Sequence, residues 1–478
     1  MEDLLAKYFA VAEQTETLKY VGFVTKIQGI LIESRGPVSV MGEVCKITIP
    51  LSLSGNVSDN ASGKEVFAEV VGLNGAFVQL MPYTDTQGIA VGARVTATGR
   101  RLEVPVSDKL LGRVVGPLGE PVDGRGPIVD AAQRYPVVAP PPPAFTRERI
   151  TQRIVTGIRA IDGLLAVGKG QRLGVFAGSG VGKSTFQGMI ARNTNAQVNV
   201  VALIGERGRE LRDFIETDLG PEGMARTVIV VSTGDENPLA RLRGAYTATA
   251  IAEYFRDQGN DVMFLFDSIT RFARAMREIG LATGEPPAQR GYPPSVFDSM
   301  QKLLERSGAA SRGTITAFYT VLVDGDDLDE PVADTVRGIL DGHIILSRAL
   351  AERVHYPAID VGASISRLSS AVAGKVTKKA VQAVLRLISA YNEIEDMINL
   401  GAYKIGTNPA VDEAIAKHEA IERFLTQAVD EKSSLEETLR SLAAIAEMEL
   451  PPEEAGPYAE APPAVEGPGG AFLGGGVP

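Results

Sequence analysis

The chain holds 478 residues, of which 44% are apolar and 22% charged, and its formal net charge is −11. That length gives roughly two to four domains of ordinary globular composition, and the acidic balance argues against a nucleic-acid partner, which needs clustered Lys and Arg. A single cysteine, Cys45, excludes an internal disulfide framework and a Cys-based zinc cluster; the three histidines, His343, His355 and His418, stand at no ligand spacing.

The first residues lack the basic region and long apolar run of a secretory signal. No stretch approaches the roughly 18 uninterrupted apolar residues of a membrane-spanning helix. A cytoplasmic, soluble protein is expected. Residues 1–18 read as an amphipathic helix, with Leu4, Leu5, Tyr8, Phe9, Val11 and Ala12 at helical spacing among Glu2, Asp3, Lys7 and Glu13. Such a helix packs on its own domain or docks on a partner or a membrane surface.

Residues 19–97 change to short apolar runs separated by turn residues, among them Tyr20-Val-Gly-Phe-Val, Cys45-Lys-Ile-Thr-Ile and Ala76-Phe-Val-Gln-Leu. This pattern suits a small all-β barrel or sandwich, and a β-barrel is expected. The stretch from Leu111 to Gly124 is dense in turn residues, and residues 136–150, with four consecutive prolines at Pro140–Pro143, read as an extended linker. Across 98–368, apolar strands alternate with helical patterns, which predicts a RecA-like α/β domain on a parallel sheet. Candidate strands are Leu173–Phe176, Val198–Ile204, Val228–Val231, Val262–Phe266 and Thr314–Tyr319. Residues 369–450 read as a helical domain. The last 28 residues carry seven Pro and seven Gly, so 451–478 is expected to be a disordered tail.

The strand ending at Phe176 runs into Ala177, Gly178, Ser179, Gly180, Val181, Gly182, Lys183, Ser184 and Thr185, which open a helix. Apart from Ala177 in place of the first glycine, this is the P-loop pattern. Its glycines let backbone amides wrap a phosphate at a helix N-terminus. Lys183 neutralises the β- and γ-phosphates of ATP, and the Ser184 hydroxyl ligates Mg²⁺. The apolar strand Val262–Phe266 ends in Asp267, placed to hold the same metal from a neighbouring strand. A third strand end carries Gly205-Glu206-Arg207, and a carboxylate there lies in the crevice where open α/β sheets bind ligands. Glu206 is thus placed to polarise an attacking water.

The runs Gly178-Ser-Gly-Val-Gly-Lys-Ser, Ile204-Gly-Glu-Arg-Gly-Arg-Glu and Phe266-Asp-Ser-Ile-Thr-Arg-Phe-Ala resemble the rotary ATPase superfamily. Gly291-Tyr-Pro-Pro-Ser-Val-Phe, His355-Tyr-Pro-Ala-Ile-Asp and Ala363-Ser-Ile-Ser-Arg-Leu extend the match, which covers about residues 20–450 and is most similar to the type III export ATPases, flagellar form. The resemblance implies that Glu206 is the catalytic glutamate and that Arg207 beside it binds phosphate or arranges the interface. It implies that Arg367 is an arginine finger reaching a neighbouring subunit's site and that the Tyr356 ring packs near adenine. Glu206 and Arg367 occur in one chain, so a homo-oligomeric ring suffices, a hexamer by family analogy. The resemblance further implies regulator and stalk proteins, export cargo and its chaperones as partners, and peripheral contact with the inner face of the cell membrane. The competing expectations are a catalytic subunit of an ATP synthase or ion pump, a hexameric RNA helicase, and a nucleotide-binding module that does not hydrolyse.

Overall fold

The computed structural model describes residues 20–49, 64–129, 133–323, 325 and 327–455. The helix expected over 1–18 lies outside the described residues, as does the chain after 455. The chain divides into two compact units: residues 1–103 with 235–242 and 275–293, and the remainder.

In the first unit, six strands close a barrel: β1 (Val21–Gln28), β2 (Leu31–Arg35), β3 (Glu43–Ile49), β4 (Lys64–Asn74), β5 (Phe77–Pro82) and β6 (Arg94–Arg101), in the order β1-β2-β5-β4-β3-β6. The β6–β1 pairing closes the ring and removes any free edge. Alternation drives it: Val24, Ile32, Cys45, Ile47, Val66 and Leu80 point inward and are buried. The sixth strand carries the barrel four residues past the expected boundary at 97. Gly75, at φ +60°, turns the chain between β4 and β5 where a side chain would be strained.

The second unit is built on a sheet whose strands are β7 (Val114–Val115), β8 (Arg172–Ala177), β9 (Val198–Glu206), β10 (Thr227–Thr233), β11 (Asp261–Asp267), β12 (Thr314–Leu322), β13 (Gly342–Leu346) and β14 (Ile359–Ser366). Their spatial order is β14-β13-β8-β12-β11-β9-β10-β7. Along this order all neighbours are parallel except β13 and β14, which run antiparallel, and a ninth short strand, Gly308–Ala309, pairs antiparallel with β12 off the path. Strand β9 is buried at every position, as expected for a parallel strand covered on both faces. Each of the five predicted strands is present, longer by two or three residues. The linker read over 136–150 is held in place near its end: Arg147 donates to the Ser307 carbonyl at 3.1 Å and pairs with Glu305 at 3.1 Å.

The C-terminal helices are Lys375–Asn392, Pro409–Leu425 and Leu435–Ile445. They do not stand apart from the sheet. Ala380, Val384, Ile421 and Phe424 join Leu173, Val175 and Phe318 in one continuous core. The last of these helices begins in a capping box, with Ser434 and Glu437 bonding each other's backbone amides. Of the tail expected over 451–478, only residues 451–455 are described. Pro452–Ala455 form a helical turn, and the Glu454 carboxylate accepts from the Val376 and Thr377 amides at 2.9 and 2.8 Å. Capping the first turn of Lys375–Asn392 explains why these residues are ordered.

Candidate active site

Strand β8 delivers the P-loop to the C-terminal edge of the sheet, and helix α1 (Lys183–Asn193) starts directly after it. Gly180 and Gly182 sit at φ +80° and +87°, a backbone region that residues with a Cβ rarely adopt. The amides of the first turn of α1 have no intrahelical partner and face the loop's concavity.

Three strand ends bring charge to this loop. The Lys183 Nζ lies 2.7 Å from Asp267 Oδ1 and 3.6 Å from Glu206 Oε1. Strands β9 and β11 pair with Leu203 opposite Asp267, which puts both carboxylates at one edge. Asp267 is 2% exposed and also accepts from the Thr320 hydroxyl at 2.8 Å. Burial pushes its carboxyl above the ordinary value, with Lys183 pulling the other way.

Arg271, on the first turn of α2 (Ile269–Ala282), holds Glu206 from the opposite side: its Nη2 donates to Oε2 at 3.2 Å. The Arg271 Nε stands 3.0 Å from Oε1 but is misaligned, so Oε1 is buried without a hydrogen bond. Gly205 makes room for this arrangement, since a Cβ there would come within 2.8 Å of Arg271 Cδ.

Two chambers meet at the P-loop. A polar cavity of about 360 Å³ is lined by the loop together with Glu206, Arg207, Glu210 and Arg271. A mostly apolar slot of about 540 Å³ lies between Phe186 and Met189 of α1, Tyr356 and Pro357, and the segment Thr426–Val429. Gly180, Gly182 and Thr185 line both. A polar chamber rich in cations and amides opening into an apolar slot suits a triphosphate joined to a flat base.

The structure therefore brings together Ala177–Thr185, Glu206 and Asp267, and sets Tyr356 on the slot wall. Arg207 stands at the rim, with its side chain 82% exposed and paired to Glu210 at 3.3 Å. Arg367 is not among the lining residues of either chamber. It is exposed beyond the end of β14, and its Nη2 donates to the Arg337 carbonyl at 3.4 Å. Two contributors escaped the sequence reading. Arg271 was quoted within a motif but given no role, although its place four residues after Asp267, on the helix that follows, could have marked it. Thr426–Val429 lie far along the chain in a helix–helix connection with no local signal. Among the described residues, no three His, Cys, Asp or Glu form a metal cage. The oxygen donors at hand, the Ser184 hydroxyl and Asp267, fit the hard-ligand preference of Mg²⁺, which takes few protein oxygens and shares its shell with phosphates.

Family models match along the chain: the β-barrel domain of the ATP synthase alpha/beta family over 24–99, its nucleotide-binding domain over 157–366, and the C-terminal domain of the EscN ATPase of type III secretion over 374–444. The chain is 57% identical to the flagellum-specific ATP synthase of Treponema pallidum, over 92% of this chain and 96% of that one. It is 46% identical to a type 3 secretion system ATPase of Xanthomonas euvesicatoria, over 89% and 93%. Among solved structures, the assembled ATPase EscN from enteropathogenic E. coli superposes with a TM-score of 0.82 at 41% identity, covering 89% of this chain and all of that one. A second structure, of EscN with its central stalk EscO, gives 0.81 at 41% identity with the same coverage. These matches favour the export-ATPase expectation over the helicase and ion-pump ones.

Proposed function

The chain belongs to the ATP synthase alpha/beta family, among its flagellar and type III secretion ATPases, and from that premise we propose that it hydrolyses MgATP at the boundaries of a ring of identical subunits to serve flagellar protein export. The observation that carries this is the meeting of Lys183, Glu206 and Asp267 at a P-loop whose polar chamber opens into an apolar slot.

In this reading the first-turn amides of α1 and the Lys183 ammonium, now shared by two carboxylates, hold the β- and γ-phosphates. Tyr356 and Thr426–Val429 sandwich the base. Glu206 keeps one oxygen free of hydrogen bonds in a buried position; it orients water and takes its proton. Arg271 steadies the other oxygen and adds positive charge beside the transferring group. Ser184 and Asp267 hold Mg²⁺, which when bound neutralises charge on the phosphate oxygens. Arg367, exposed and away from its own chain's chambers, supplies the last cation to the next subunit. Having Glu206 and Arg367 in one chain supports a ring of like subunits.

Two flagellum-specific relatives, at 57% and 51%, stand above the type 3 secretion ATPases at 46% and 45% and support the flagellar assignment, while four other flagellum-specific relatives, at 42–47%, overlap with those ATPases. The relative's central stalk offers a parallel for the exposed apolar residues Met397, Leu400 and Ile405, which would meet a helical stalk. No described helix is long and apolar enough to cross a membrane, so contact at the inner membrane face would be peripheral. Arg367→Ala tests the core of the proposal. MgATP binding stays within about twofold while turnover falls roughly 10³-fold or more, read by fluorescent-nucleotide titration and phosphate release. Lost binding with normal turnover per bound nucleotide would refute the finger.

A further inference from the structure

Gln427 is 2% exposed, and every hydrogen on its amides is spent inside the protein. Its side-chain NH₂ donates to the Gly157 carbonyl at 2.9 Å and to the Glu431 carbonyl at 3.0 Å. Its Oε1 accepts from the Arg159 amide at 2.9 Å. Its own backbone amide donates to the Tyr356 carbonyl at 2.9 Å. One residue is thereby tied to both walls of the apolar slot, the one starting at Tyr356 and the one formed by Thr426–Val429.

The posts it is fastened to are rigid. Gly157, at φ +76°, donates its amide to the buried Asp162 carboxylate at 2.7 Å, and Asp162 also takes the Thr156 amide at 2.9 Å. Arg159 grips the far wall: Nε donates to the Phe424 carbonyl at 3.1 Å, Nη2 donates to the Thr426 carbonyl at 2.5 Å, and the guanidinium pairs with Glu431. The next element joins in, since Arg192 at the end of α1 donates to the Val429 carbonyl at 2.7 Å.

We propose that Gln427 is the positioning residue of the base slot: it fixes the separation of the two walls and, having no free N–H, leaves the base to be held by contact with them and not by its amide. This rests on the reading that the slot takes a nucleotide base. Buried polar groups left unpaired open such a junction, whereas the reacting end of the site, built on strands β8, β9 and β11, is not reached by these bonds.

Gln427→Leu keeps the volume and removes all three side-chain bonds. In the full-length enzyme the KM for MgATP rises roughly tenfold, that for MgGTP rises by the same factor, and kcat stays within about twofold. A rise for MgATP alone would make the amide a reader of the base and overturn the proposal. So would an unchanged KM, or a fall in kcat and thermal midpoint with KM untouched, which marks a merely structural role. Arg159→Lys, which keeps the charge and loses the fork, must shift KM in the same selective way; if Gln427→Leu fails to fold, this variant decides, and an unchanged KM rejects the idea. Wild-type protein that binds neither nucleotide would instead sink the reading of the site itself.

Discussion

Glu206 has one oxygen clamped by Arg271 and the other buried without a hydrogen bond. That second oxygen lies 3.0 Å from Arg271 Nε and 3.6 Å from Lys183 Nζ with a hydrogen bond from neither, so its lone pairs are placed to accept from a water. Glu206→Gln keeps the shape and removes the base, so turnover falls roughly 10²- to 10⁴-fold while fluorescent-nucleotide binding is retained. Equal loss of both would show that Glu206 serves binding instead. At this scale the meeting of the P-loop, Asp267 and Glu206 at one sheet edge was legible because each is a short local pattern at a strand end. Arg271 was not, because its role depends on the rotation of α2 against β9, which no local pattern encodes.

The strands β8 to β12 could be read from the sequence because parallel strands covered on both faces are nearly continuous apolar runs. Strand β14 was missed: Gly362, Ala363 and Ile365 are exposed, and its mixed pattern looks like a loop. The edge strand β7 is two residues long and is held by the turn after it. Arg113 grips Asp123 with bonds of 2.6 and 2.9 Å, both side chains being about nine-tenths buried. Burial alone would raise the Asp123 carboxyl, but the Arg113 guanidinium and the Arg125 and Val114 amides bring it down to about 2 from 3.8. A carboxyl depressed on folding contributes stability above its ordinary value and loses it as pH falls toward the folded value. Asp123→Asn therefore lowers stability at neutral pH by about 2 kcal/mol, and its gap from wild type narrows between about pH 4 and 2. Urea unfolding of both proteins across that range checks it; a gap that stays constant would remove Asp123 from the account.

Composition already pointed to several domains, and the barrel and the parallel sheet each appear as a separate compact unit. What the sequence could not reveal is non-local: segments 235–242 and 275–293 group with the barrel, and the C-terminal helices share the sheet's core through Ala380, Val384 and Phe424. The connection Thr426–Val429 thereby becomes a wall of the apolar slot. The central claim, that Glu206 of one subunit works with Arg367 of the next, belongs to the assembly and is tested most directly by mixing two inactive variants. Glu206→Gln subunits retain the finger, and Arg367→Ala subunits retain the base. In equal mixture, if sites act independently, about one quarter of the boundaries in a closed ring pair an intact Glu206 with an intact Arg367. Phosphate release from the mixture is then predicted to approach about a quarter of the wild-type rate. A mixture no more active than its two components, under conditions where the subunits are seen to co-assemble, would contradict the shared site.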